Sequence, residues 1–303
     1  MVKPTLLIAF LLLGQSFSLR AESAKLTVLT TTLPIFSLTA SVAGKYAEVE
    51  NLVPPGIEPH DYQISSRELR KIRQAALILI NGLRLEDWLD RYLKSKDTQA
   101  KVVTVSRGLD SEVIFGVTPL LGTTARPDSR FPNPHFWLDP VLARRALTNI
   151  LAALQAADPP HAAVFAENAA QLSHQLDDLN SDYDREMGLL RDKPFVTSHD
   201  FFAYLARRYR LKLAGVVESD PEVEPSLRYV IELTALIRRE RVAVIFVEPR
   251  FSSKIVDQLC HDLGIVSREL DPIETGPLTP GAYVEGMRRN LSTLKEALGG
   301  KRK

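Results

Sequence analysis

Four side chains of this 303-residue chain have the donor types that hold a transition-metal ion: His60, His135, His199 and Asp271. Neutral imidazole nitrogen and ionised carboxylate oxygen are borderline ligands that suit zinc, at about 2.0–2.2 Å. His60 ends the stretch "PPGIEPH", where three prolines and a glycine hold the chain off helix and sheet. His135 stands in "FPNPHFWLDP", between Pro134 and an aromatic pair. His199 follows the apolar run in "FVTSHDFF", and Asp271 closes "SRELDP". The other three histidines, His161, His174 and His261, fall in helical patterns, where a solvated side chain is the expectation.

Other chemistries are poorly served. The chain has neither a phosphate-binding glycine loop nor the HExxH pattern of zinc proteases. Its one cysteine, Cys260, allows no intramolecular disulfide and sits in the helical pattern "IVDQLCHDLG", where a small core residue is expected. The 38 basic and 37 acidic residues leave a formal charge of +1, which offers no electrostatic footprint for nucleic acid.

The elements that would position these ligands read as alternating strands and helices. Strand signals occur at 25–32, 47–53, 76–80 and 101–106, and again at 195–197, 212–217, 242–247 and 266–270. Helical patterns separate them, so each set of four implies a parallel sheet with crossover helices. In such sheets ligands bind beyond the carboxyl ends of the strands. His60, His199 and Asp271 each follow a strand, so two sheets facing one another across a cleft would bring the ligands together. Between the sets runs an apolar periodicity through Val164, Leu172, Leu176, Leu179 and Met187. About 30 helical residues there would span about 45 Å. The expected fold class is therefore α/β: two lobes, each a four-stranded parallel sheet flanked by helices, joined by one long connecting helix.

The first residues read as an export signal. Lys3 gives a basic start, "TLLIAFLLL" is too short to cross a bilayer, and small residues follow near Ala21 to Ala24. Cleavage after Ala21 removes Lys3 and Arg20 and takes the formal charge from +1 to −1. Because Cys260 is remote from the leader, a free periplasmic protein without a lipid anchor is expected. The expected organisation is a signal peptide at 1–24, an N-terminal lobe at 25–158, a linker helix at 159–192 and a C-terminal lobe at 193–303.

In order along the chain, "PPGIEPHDY", "NGLRLEDWL", "NPHFWLDP", "FVTSHDFFAYLARRYRL", "VEPSLRYVIEL" and "FVEPRFSSKIVDQL…LDP" resemble the periplasmic zinc and manganese receptors of ABC importers, the ZnuA and TroA type. The resemblance covers nearly all of the chain after the leader. It implies two lobes, one linker helix, and a metal in the cleft held by His60, His135, His199 and Asp271. It further implies a non-enzymatic, monomeric receptor that captures Zn²⁺ and delivers it to a membrane permease served by a separate ATPase subunit. A periplasmic metallochaperone is a further partner such a role admits. Three nitrogens and one carboxylate favour zinc over Mn²⁺ or Fe²⁺, which remain the alternative cargo. A secreted zinc hydrolase is the rival reading; it would need an open coordination position and a nearby base. Glu248, Asp200 and Glu224 are candidates to orient the imidazoles, and Tyr62 and Trp137 to shield them or pack the core. Two positions depart from the family pattern: Asn133, where aspartate is commoner, and Arg210, where glycine is. The stretch from Arg107 to Asn133 contains no histidine, so the metal-collecting loop of many zinc receptors has no counterpart there.

Overall fold

A computed structural model describes residues 25–60, 62–95, 98–116, 131–218, 225–249 and 253–300; the leader read at 1–24, and Glu224, lie outside the described residues. The N-terminal sheet contains β1 (Leu26–Thr30), β2 (Ala47–Asn51), β3 (Leu77–Ile80) and β4 (Lys101–Thr104), ordered β2-β1-β3-β4, and every pairing is parallel. The C-terminal sheet repeats the plan with β5 (Phe195–Thr197), β6 (Leu213–Val216), β7 (Val244–Val247) and β8 (Val266–Glu269), ordered β6-β5-β7-β8, again all parallel. The central strands β3, β5 and β7 are short apolar runs because both their faces are covered.

Four of the described helices start at a side-chain cap. α1 (Leu33–Ala43) follows β1, and ten of its eleven residues are buried. Ser65 and Glu68 form a reciprocal capping box on α2 (Ser66–Gln74), satisfying two otherwise orphaned N–H groups. The short α3 (Asp90–Leu93) precedes β4. At the start of α4 (Pro140–Ala157), Asp139 Oδ1 accepts from the amides of Val141 and Leu142, with Pro140 in the first turn.

The long helix between the two sheets is α5 (Ala162–Gly188), preceded by one 3-10 turn at Pro159–His161. Its 27 residues span about 40 Å. The helix buries Phe165, Ala169, Leu172, Leu176, Leu179, Tyr183 and Met187, a stripe spaced by three and four residues. The second half adds α6 (Ala203–Tyr209), α7 (Leu227–Glu240), α8 (Lys254–Leu263) and α9 (Ala282–Gly299).

The two lobes are not independent cores. One apolar cluster runs from Val28 and Leu77 through the α4 and α5 stripes to Phe195, Phe246, Leu270, Tyr283 and Met287. Polar ties follow the same route. Tyr183 donates to the Met287 carbonyl at 2.7 Å, and Trp137 Nε1 donates to the Pro272 carbonyl at 2.7 Å. Arg208 on α6 pairs with the buried Asp139 at 2.8 Å, so one carboxylate both caps α4 and binds the opposite lobe. His161, expected to be solvated, instead stacks on Tyr46 at 4.2 Å and bonds Asp158 at 2.6 Å, because it sits in the turn where α5 meets the end of α1.

Candidate metal centre

The rings of His60, His135 and His199 lie close together. The His60 and His135 ring centroids lie 5.5 Å apart, His135 and His199 5.5 Å, and His60 and His199 5.9 Å. Rings that aim one nitrogen each at a shared tetrahedral zinc would have centroids about 5 Å apart. His60 and His135 come from the N-terminal lobe and His199 from the C-terminal one, so the cluster spans the cleft.

Each imidazole is held by its own segment. The His60 loop is stiffened by Pro54, Pro55 and Pro59 and turns at Gly56, whose φ of 81° suits glycine. The Gly56 amide donates to the Glu274 carbonyl across the cleft at 2.8 Å. Trp88 Nε1 donates to the Pro59 carbonyl at 2.8 Å, and Tyr62 packs edge-on against Trp88 at 5.5 Å. His135 is buried over Trp137, with ring centroids 5.1 Å apart. His199 begins the one-turn 3-10 helix Asp200–Phe202 directly after β5.

Asp271 is placed differently. Its Oδ1 accepts from the amides of Glu274 at 2.9 Å and Thr275 at 3.4 Å, and its Oδ2 accepts from the Thr275 hydroxyl at 2.5 Å. The carboxylate therefore organises the turn that follows β8. That turn presents Glu274, whose buried Oε1 has no hydrogen-bond partner among the described residues. Glu58, Glu248 and Glu274 are the one group of three or more potential ligands among the described residues whose donor atoms all lie within 4.8 Å of one another. They line a cavity of about 170 Å³ with Pro249 and Pro272. This trio adjoins the imidazoles: Glu58 Oε1 is 3.9 Å from His60 Nε2, and Glu248 Oε1 is 3.6 Å from His199 Nδ1.

The electrostatics suit a cation. Burial pushes the Glu274 carboxyl well above the usual range, and the charges of Glu248, Glu58 and Asp271 push it the same way. Three crowded carboxylates repel one another unless positive charge lies among them. Burial drives His135 well below its ordinary value, reinforced by His199 and His60, which keeps it in the neutral, metal-binding form. At His199, burial opposes charge but is outweighed by Glu248, Glu58 and Asp200, so its pKa rises. Glu248 thus faces His199, whereas Asp200 is buried at the base of the cleft within reach of the Asn133 side chain.

Sequence reasoning passed over Glu58, Glu274 and Trp88. The signals were legible: Glu58 lies two residues before His60, and Glu274 lies in "LDPIET", three residues after Asp271. What distinguishes Glu274 from Asp271 is which one the turn consumes in hydrogen bonds.

Comparison with known proteins adds independent findings. The family described as "ZnuA: Zinc-uptake complex component A periplasmic" matches residues 28–297. The chain is 29% identical to the "High-affinity zinc uptake system protein ZnuA" of Bacillus subtilis, over 92% of this chain and 89% of that protein. It is 30% identical to the "Zinc-binding lipoprotein AdcA" of Streptococcus pneumoniae over 91% of this chain, but spans only 56% of that longer relative. Among solved structures, Zn(II)-bound AdcA from Streptococcus pneumoniae superposes with a TM-score of 0.74 at 27% identity, covering 92% of this chain and 59% of that one. The binding protein FpvC from Pseudomonas aeruginosa, in complex with Mn²⁺, gives 0.76 at 26% identity, covering 91% and 98%.

Proposed function

We propose, from the premise that this chain belongs to the ZnuA family of periplasmic zinc-uptake components, that it captures Zn²⁺ in the inter-lobe cleft and surrenders it to an ABC permease. Its role is binding and delivery rather than catalysis, in keeping with relatives named for zinc binding and zinc uptake. The observation that carries the reading is the convergence of His60, His135 and His199 from two lobes, with Glu58, Glu248 and Glu274 beside them.

In this reading the three imidazoles supply three nitrogen ligands. The fourth ligand comes from the turn after β8. Asp271, the sequence candidate, has both oxygens engaged by Glu274 and Thr275, so Glu274 completes the set and Asp271 positions it. Glu248 Oε1 lies 3.6 Å from His199 Nδ1, a placement that favours a proton on that nitrogen and leaves the other ring nitrogen for the ion. Nitrogen-rich coordination favours zinc over manganese. The Mn²⁺ complex of FpvC makes Mn²⁺ the competitor to measure.

The remaining features belong to the same proposal. The chain is exported through the leader at 1–24 and acts as a monomer. It docks on a permease whose ATPase is a separate subunit, and takes its metal free or from a metallochaperone. The lobes divide at 25–158, 159–192 and 193–303, with α5 as the linker.

The test is metal analysis of the purified protein, followed by zinc titration in competition with a chelator and with Mn²⁺. His60→Ala and His199→Ala are expected to lower zinc affinity at least 100-fold while the circular dichroism spectrum stays that of the parent. Parent-like zinc binding in both variants would remove the histidine cluster as the site.

A further inference from the structure

The side chain of Asn133 touches both lobes at the metal centre, and each of its polar ends has one partner type only. Its Oδ1 lies 3.0 Å from the His135 backbone nitrogen and 3.0 Å from His135 Nδ1. Its Nδ2 lies 2.6 Å from the carbonyl oxygen of Asp200, the residue after His199. A backbone N–H only donates and a backbone carbonyl only accepts, so the two ends fix the orientation of the amide without ambiguity. That orientation fixes the imidazole in turn. With an acceptor oxygen facing it, His135 Nδ1 must carry the proton, and the Nε2 lone pair is the one left for a metal.

The placement of Asn133 is itself rigid. The side chain is buried, its amide N–H donates to the Ile114 carbonyl at 2.8 Å, and its carbonyl accepts from the Tyr204 hydroxyl at 2.7 Å. Tyr204 belongs to α6 and also receives the Ile114 amide at 3.1 Å, so the segment is clamped from the opposite lobe.

We propose that Asn133 is a positioning residue with two duties, setting the His135 tautomer and tying the His135 loop to the His199 segment across the cleft. This rests on the reading of His135 and His199 as ligands. The two duties need one acceptor and one donor on a short side chain, which asparagine has. Aspartate would keep the first duty and lose the second, because a carboxylate oxygen would face the Asp200 carbonyl. Alanine would lose both.

The experiment compares the full-length parent with Asn133→Ala and Asn133→Asp. In metal-free protein, ¹⁵N shifts of the His135 ring report its tautomer without reference to metal. The parent and Asn133→Asp are expected to hold the Nδ1-protonated tautomer, and Asn133→Ala to populate both. With zinc as the probe, Asn133→Ala should lose about 10–100-fold in affinity. Asn133→Asp should release zinc to a chelator faster than the parent by at least fivefold. A single Nδ1-protonated tautomer in Asn133→Ala, with zinc affinity within twofold of the parent, would overturn the first duty. An unchanged release rate in Asn133→Asp would overturn the second. Failure of the ligand reading is separable: His135→Ala would then bind zinc like the parent, whatever the tautomer measurements showed.

Discussion

At the scale of single residues, hydrogen-bond commitments divide two neighbouring carboxylates into different roles. Asp271 spends its oxygens on three donors of its own turn, whereas Glu274 keeps one buried oxygen unpartnered among the described residues. Glu274→Gln is therefore expected to cost at least tenfold more zinc affinity than Asp271→Asn, measured by chelator competition. The reverse order would return the fourth position to Asp271. A second buried carboxylate, Glu86, acts on stability instead. It accepts from the Thr31 hydroxyl at 2.6 Å, from the Asn81 amide at 2.7 Å and from the Gly82 amide at 3.0 Å. Burial outweighs those bonds and pushes its pKa up to about 7. The folded chain thus holds a proton between about pH 4.5 and 7 that the unfolded chain has released, so this group's contribution falls as pH rises through that window. The change amounts to about 3 kcal/mol. Glu86→Gln should flatten the urea-unfolding stability profile between pH 4.5 and 7 relative to the parent, and parallel profiles would refute the assignment.

At the scale of elements, the loops after strands are built from backbone conformations that particular residues tolerate or resist. Gly82, after β3, has a φ of 84°, and an added Cβ would stand 2.3 Å from Thr104 Cγ2, so nothing larger fits this turn. The turn matters to the site, because the Asn81 side chain donates to the Pro134 carbonyl at 3.2 Å, next to His135. Arg210 is the opposite case. It ends α6 in the left-handed conformation, φ 56° and ψ 40°, where a side chain is strained. The departure from glycine at this position, visible in the sequence, thereby acquires a physical meaning. Arg210→Gly should stabilise the protein by roughly 0.5–1 kcal/mol in urea unfolding, since the Cβ strain removed exceeds the entropy added to the unfolded chain. A destabilised variant would mean that the arginine side chain contributes more than its backbone strain costs.

At the scale of the whole molecule, one apolar cluster joins both sheets through α4, α5 and α9, and buried polar ties cross the cleft at Asp139–Arg208, Trp137–Pro272 and Asn133–Asp200. Lobes that share a core should unfold together. Metal-free protein is expected to show one calorimetric transition with equal calorimetric and van't Hoff enthalpies. Two resolved transitions would show that the lobes are thermodynamically separate. The same ties oppose a wide hinge. If His60 is a ligand as proposed, the stiff Pro54–Pro59 loop would hold it near its partners before the ion arrives and lower the ordering entropy lost on binding.

The amino-acid sequence by itself determined the elements and their order. Short runs rich in β-branched residues, closed by turn chemistry, marked all eight strands, capping residues such as Ser65 and Asp139 marked helix starts, and the near-helical recurrence of Val164, Leu172, Leu176, Leu179 and Met187 marked α5. These signals are local, so they can be read without knowing what lies nearby in space. It also marked three imidazoles as the residues to watch: His60 after a proline-stiffened loop, His135 between Pro134 and an aromatic pair, and His199 at a strand end. Only the tertiary structure decided which carboxylates stand beside them. Whether Asp271 or Glu274 has an oxygen to spare depends on a turn's hydrogen bonds. Whether Glu58, Glu248 and Glu274 crowd together depends on how three loops, one from the N-terminal lobe and two from the C-terminal lobe, meet across the cleft, as in the bond from Gly56 to Glu274. Residues separated by more than two hundred positions acquire a common electrostatic environment only when packing brings them within a few ångströms.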